Sequence, residues 1–132
     1  MVSSMDGLRD VTLFLATESL VLQAAKWSER HPSFALRIVS SQLPGAVLRG
    51  LEDAAFSVID ATDRPQQALG LMQRGLERVG RQAIAIYTEI MHEGLEVLVR
   101  CAGVPLWLGP MAQSEWEASF EAMARAEVNA RL

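Results

Sequence analysis

The sequence predicts an all-α fold, a helical bundle of about four helices with one long central helix. Three observations point there. Apolar residues recur at three- and four-residue spacing along most of the chain, capping signals stand at Asp63 and Ser114, and no stretch alternates apolar and polar residues as a half-buried strand would. At 132 residues the chain has the length of one domain, 1–132, large enough to bury a core without a disulfide or a metal.

The first helix is expected from Met5 to Arg30. Ser3 or Ser4 can cap it, and Asp6 places a carboxylate in its first turn. Leu8, Val11, Leu15, Leu22 and Ala25 form one stripe, which Phe14, Leu20, Ala24 and Trp27 widen. His31-Pro32 ends it, because a residue before proline is pushed out of the α region. A second helix opens at Ser33-Phe34, is broken by Pro44-Gly45, and resumes through Val47, Leu51, Ala54 and Val58 to Ala61.

Thr62-Asp63-Arg64-Pro65-Gln66 restarts the chain, with Asp63 as a cap and a first-turn proline. The long central helix follows, with no breaker other than glycine until Gly103-Val104-Pro105. Its seam reads Leu69, Met72, Leu76, Val79, Ala83, Ile86, Ile90, as in a coiled coil. A second stripe, Ile84, Tyr87, Met91, Leu95, Leu98, makes its later half apolar over a wide arc. Some 38 residues would span on the order of 55–60 Å, so the helix would outreach its bundle and lie against another subunit. Gly70, Gly75 and Gly80 within it suggest either close helix packing or a flexible first half. After an apolar loop, the S-x-x-E sequence from Ser114 to Glu117 opens a last helix carrying Trp116, Phe120, Met123 and Val128 on one face.

Hydrophobic residues make up 50% of the chain and its mean hydropathy is +0.16, which predicts apolar surface left over for a partner. The net charge of −4, with no basic stripe, argues against nucleic acid. Arg74, Arg78 and Arg81 enclose Glu77 and read as a solvated face. The single Cys101 excludes an internal disulfide and reads as a buried small hydrophobe. Residues 11–16 are too few for a signal core or a membrane span, so a cytoplasmic location and no transmembrane segment are expected.

Chemistry has one candidate. Glu89-Ile90-Met91-His92 would put a carboxylate and an imidazole on one helix face, as in ferritin-like di-iron bundles, with a subunit interface to complete the site. Such a site takes two of these motifs and two further glutamates, and this chain carries one motif. The preferred expectation is therefore no cofactor, no metal and no catalytic residue. Residues 103–111 hold Val104, Leu106, Trp107 and Leu108 with hardly a polar side chain between them. This loop either caps the end of the bundle or contacts a second subunit or a hydrophobic surface. Together with Tyr87, Met91 and Leu95 it forms the expected partner-binding surface of a homodimer or higher homo-oligomer.

The run Asp63-Arg64-Pro65-Gln66-Gln67-Ala68-Leu69, with Gln73 and Glu77 following, opens a long amphipathic segment that resembles a phasin. Phasins are the small helical proteins that coat polyhydroxyalkanoate granules. The resemblance extends to about Glu96 and implies a non-catalytic helical oligomer that binds a hydrophobic surface, a polymer granule or a protein partner.

Overall fold

The residues of the expected first helix divide into a strand and a helix. In the computed structural model, which describes residues 9–131 and side chains through 129, β1 spans Arg9–Phe14 and α1 spans Glu18–Glu29. The expected cap at Ser3 or Ser4, and Met5, Asp6 and Leu8, lie outside the described residues. The pattern then repeats: β2 Phe34–Val39, α2 Pro44–Asp53, β3 Ala54–Asp60, α3 Pro65–Arg78, β4 Ile84–Thr88, α4 Leu95–Cys101, β5 Leu106–Leu108 and α5 Gln113–Arg131. The architecture is α/β, which overturns the all-α bundle. The five strands form one parallel sheet in the order β2-β1-β3-β4-β5.

The long central helix is replaced by α3, a single 3-10 turn, β4, a loop and α4. Two local causes break it. Gly80 takes φ +88°, which glycine adopts without a Cβ clash, and its N–H and that of Val79 both close onto the Gly75 carbonyl. Beyond it, Ile84-Ala85-Ile86-Tyr87-Thr88 is rich in branched and aromatic side chains and buried at every position. A central parallel strand is covered on both faces, so it reads as an unbroken apolar run that also satisfies helical spacing. The same holds for β3, buried along its whole length. The argument for a second subunit from excess helix length falls with that helix.

Two expected starts hold in part. α3 begins at Pro65, in the first turn as anticipated, but its N-cap is Arg64 and no side chain caps it. α5 begins at Gln113, and it is Glu115 that reaches back to accept the Ala112 N–H at 3.0 Å.

The helices sandwich the sheet. α1 and α5 cover one face, where Trp27, Phe120 and Trp116 meet Phe56, Tyr87 and Trp107. α2, α3 and α4 cover the other, packing Leu51, Met72 and Leu95 on Phe14, Ile59, Ile84 and Ile86. α3 approaches closely at Gly75, where a Cβ would overlap Ile84 Cδ1 and lie 3.4 Å from Leu51 Cδ2. At Gly70 the space is open. Arg9–Glu127 at 3.0 Å, Arg30–Glu117 and His31–Glu121 tie α5 to β1 and to the end of α1.

Candidate functional site

In an open parallel sheet, ligands collect outside the carboxyl ends of the strands, where neighbouring connections run to opposite faces. Here that point lies between β1 and β3. The chain leaves β1 through Leu15, at φ +57°, and Ala16, then enters α1 at Thr17. Leu15 is not glycine, so this left-handed turn is strained and persists only because its surroundings hold it.

Asp60, the last residue of β3, supplies that hold. The residue is 1% exposed. Oδ2 accepts the Thr17 N–H at 2.9 Å and the Thr17 hydroxyl at 2.7 Å, and Oδ1 accepts the Thr62 N–H at 3.0 Å. Thr17 is the N-cap of α1 yet makes no side-chain cap of its own, because its hydroxyl is turned to Asp60. The anion thus sits at a helix N-terminus, where the macrodipole favours it.

The network continues to β4. The Thr62 hydroxyl accepts the Glu89 N–H at 3.0 Å, and the Thr62 carbonyl accepts a 2.9 Å bond from His92 Nε2, which must therefore carry the proton. The Thr88 hydroxyl donates to the Ile90 carbonyl at 2.6 Å. Next to it Tyr87 is wholly buried, its ring 4.7 Å from that of Trp116. Burial raises the Tyr87 phenol well above its ordinary value, and the carboxylates of Glu89 and Asp60 push it the same way. A Cβ on Gly109 would stand 2.6 Å from the Tyr87 hydroxyl, so only glycine lets the backbone after β5 lie here.

Beside this network a cleft of about 270 Å³ is bounded by Leu15, Ala16, Val39, Ser40, Asp63 and Arg64. The chain's single lysine, Lys26, stands in the last turn of α1, at the opposite end of the helix from Thr17.

The metal alternative does not survive this geometry. Glu89 and His92 lie on the turn between β4 and α4, not on one helix face, and the His92 nitrogen is turned to Thr62. No group of three or more His, Cys, Asp or Glu side chains converges among the described residues. Of the expected partner-binding residues, Tyr87, Leu95, Val104 and Trp107 are buried, Leu106 is half-buried, and Met91 and Leu108 are exposed. Three residues of the apolar loop, Leu106–Leu108, form β5, whose Trp107 and Leu108 lie beside Tyr87 and Thr88 of β4. Cys101, expected in the core, is exposed. Sequence reasoning missed Thr17 and Asp60, and it read Thr62 only as part of the restart before α3. Their signal was a polar residue directly after each of two apolar runs.

No family model and no curated protein matches the chain. Solved structures do. A response regulator from Thermotoga maritima superposes with a TM-score of 0.70 at 13% identity, covering 89% of this chain and 98% of that one. A protein described as pilus assembly-related from Burkholderia pseudomallei gives 0.66 at 13%, covering 91% and 92%. A pilus assembly protein from Sinorhizobium meliloti gives 0.60 at 12%, covering 86% and 98%. At such identities the likeness establishes the fold, the five-stranded arrangement shared by receiver and flavodoxin-like domains. It overturns the phasin resemblance and, with it, the granule-coating bundle.

Proposed function

We propose that this chain is a receiver-like protein-interaction domain, read by a protein partner at α4 and the turn before it. The observation that carries this is the placement of exposed apolar side chains. Ile90, Met91, Val97, Leu98 and Leu108 all fall on the β4–α4 turn, α4 and the end of β5. Together these side chains expose roughly a few hundred Å² of apolar surface, the size of the largest and often functional patch on a typical monomer. It is smaller than the roughly 800 Å² per partner of a standard stable interface, which suits a transient contact. The likeness to a response regulator and to pilus assembly proteins supports a protein as the partner.

In this reading Asp60 is a structural pin and not a phosphoryl acceptor. A carboxylate can take a phosphoryl group, but transfer needs cations to offset the developing charge. The end of β1 offers Phe14, Leu15 and Ala16, which hold no cation, Lys26 is remote, and the adjoining cleft brings one cationic side chain, Arg64. Both Asp60 oxygens already accept internal donors. The Asp60–Thr62–Glu89 network holds the turn that presents Ile90 and Met91. The reading also includes a homodimer, on a face other than α4, and a cytoplasmic location, where an exposed thiol such as Cys101 stays reduced. No helix among the described residues is long and apolar enough to cross a membrane.

Two measurements test the proposal. With magnesium and acetyl phosphate, intact-mass analysis should show no phosphoryl adduct, and an acid-stable mass shift lost in Asp60→Asn would refute the pin. A photo-crosslinker at Val97 in the native cell should capture a partner protein, and Leu98→Glu should abolish capture. Equal yields from a crosslinker at Leu22, on α1, would refute the α4 surface.

A further inference from the structure

The sheet ends at β2 on one side, and among the described residues no strand pairs with its outer edge. Which backbone groups face outward follows from one bond. The Arg9 N–H donates to the Ser33 carbonyl at 3.0 Å, within a parallel register that pairs Arg9 with Phe34. In a parallel ladder this sets odd-numbered β2 residues toward β1 and even-numbered ones away from it. Phe34 is then used locally, its N–H bonded to the His31 carbonyl at 2.9 Å and its carbonyl to the Ser28 hydroxyl at 3.0 Å. Leu36 and Ile38 are left facing outward, and Ser40 continues their parity.

An exposed six-residue strand of this kind is a template for another strand unless something guards it. The only charge on β2 is Arg37, and Asp10 at 3.7 Å and Asp53 at 3.9 Å draw it back over the sheet face. Ile38 is 48% exposed and Leu43, just beyond the strand, 70%. The opposite edge, β5, has only three residues and runs into Gly109-Pro110.

We infer that β2 pairs antiparallel with β2 of a second copy, joining two sheets across a two-fold axis at Ile38. This locates the self-association proposed above and rests on it. Charge and backbone complementarity select the register. Centring on Arg37 would set two guanidiniums directly opposite, which is destabilising. Centring on Leu36 would ask Phe34, whose backbone groups are already engaged, to pair with Ile38. Centring on Ile38 sets it against the partner's Ile38, pairs Leu36 with the partner's Ser40, and places Arg37 beside the partner's Val39. About six ladder bonds result, and the half-exposed Ile38 is covered.

Sedimentation equilibrium on the full chain, at about 5–200 µM, tests this. The wild type should associate reversibly to a dimer. Ile38→Lys and Ile38→Glu should each weaken association about tenfold or more, because like charges then meet at the axis. An equimolar mixture of the two variants should restore dimers, since position 38 faces itself. Far-ultraviolet circular dichroism of each variant confirms the fold, and Leu36→Pro, which removes an outward N–H, serves if either fails to fold. A monomeric wild type would overturn both the dimer and its location. A dimer unaffected by both charge variants, or a mixture no tighter than either alone, would overturn the location only. Loss of the dimer in Leu98→Glu with the position-38 variants intact would overturn it in favour of α4.

Discussion

Replacing Asp60 by alanine removes the acceptor for three donors, the Thr17 N–H and hydroxyl and the Thr62 N–H. Hydrogen bonds to a charged group contribute about 1.5–3 kcal/mol each, and burying the carboxylate takes back several kcal/mol of that total. Thr17 is half-buried and can rehydrate, whereas Thr62 is only 6% exposed, so its orphaned N–H keeps a penalty of about 1–3 kcal/mol. The net destabilisation works out at about 2–4 kcal/mol. Asp60→Asn keeps one oxygen for Thr17 but turns an amide N–H₂ toward the Thr62 N–H, so it should lose about half as much. Urea denaturation followed by tryptophan fluorescence reads both. An alanine variant within about 0.5 kcal/mol of wild type would refute the pin, as would an asparagine variant less stable than the alanine one.

Tyr87 is the only tyrosine, so absorbance near 295 nm reports it alone. Its raised folded pKa means that stability is complete below the unfolded value of 10.0 and declines as pH rises beyond it, and Tyr87→Phe should flatten that decline. A wild-type phenol that ionises at its ordinary pH without unfolding would contradict this. Gly75→Ala should destabilise by about 1–3 kcal/mol through overlap with Ile84, while Gly70→Ala, in open space, should stabilise by about 0.5–1 kcal/mol; equal effects in urea melts would refute the packing. Trp107 packs edge-on against Phe120 at 5.2 Å and is 7% exposed, so Trp107→Ala should lose about 3–5 kcal/mol of stability; an unchanged melting temperature would return it to the surface.

The helices were partly legible in the sequence, and the strands were not. Pro65 opens α3, and Trp116, Phe120 and Met123 do share the buried face of α5, because an amphipathic helix leaves its period in the chain. The spacing that defines a strand disappears when both its faces are covered. Ala54-Ala55-Phe56 and Ile84-Ala85-Ile86 then satisfy a three-and-four template as well as any helix, and alanine adds helix propensity to the wrong answer. Length would have arbitrated, since β4 is a five-residue run closed by Gly80 before it and the turn at Glu89 after it. The role of Asp60 could not be read from its position alone, for a related reason. A carboxylate that ends a strand gains meaning only once the strand's neighbours are known, and its partner Thr17 stands 43 residues away.

That separation also bears on how the chain reaches its structure. β1 is an inner strand, held between β2 and β3, so its second edge stays unpaired until β3 arrives. Every crossover up to that point must be closed before the sheet's centre exists, and loop closure of this kind is an entropic debt met ahead of its return. Folding should therefore run on the slower scale of mixed α/β topologies, not the microseconds of a helical bundle. During synthesis β1 and α1 leave the ribosome ahead of β3, so Val11, Leu13 and Leu20 are exposed to water before Phe56 and Val58 join them in one core cluster.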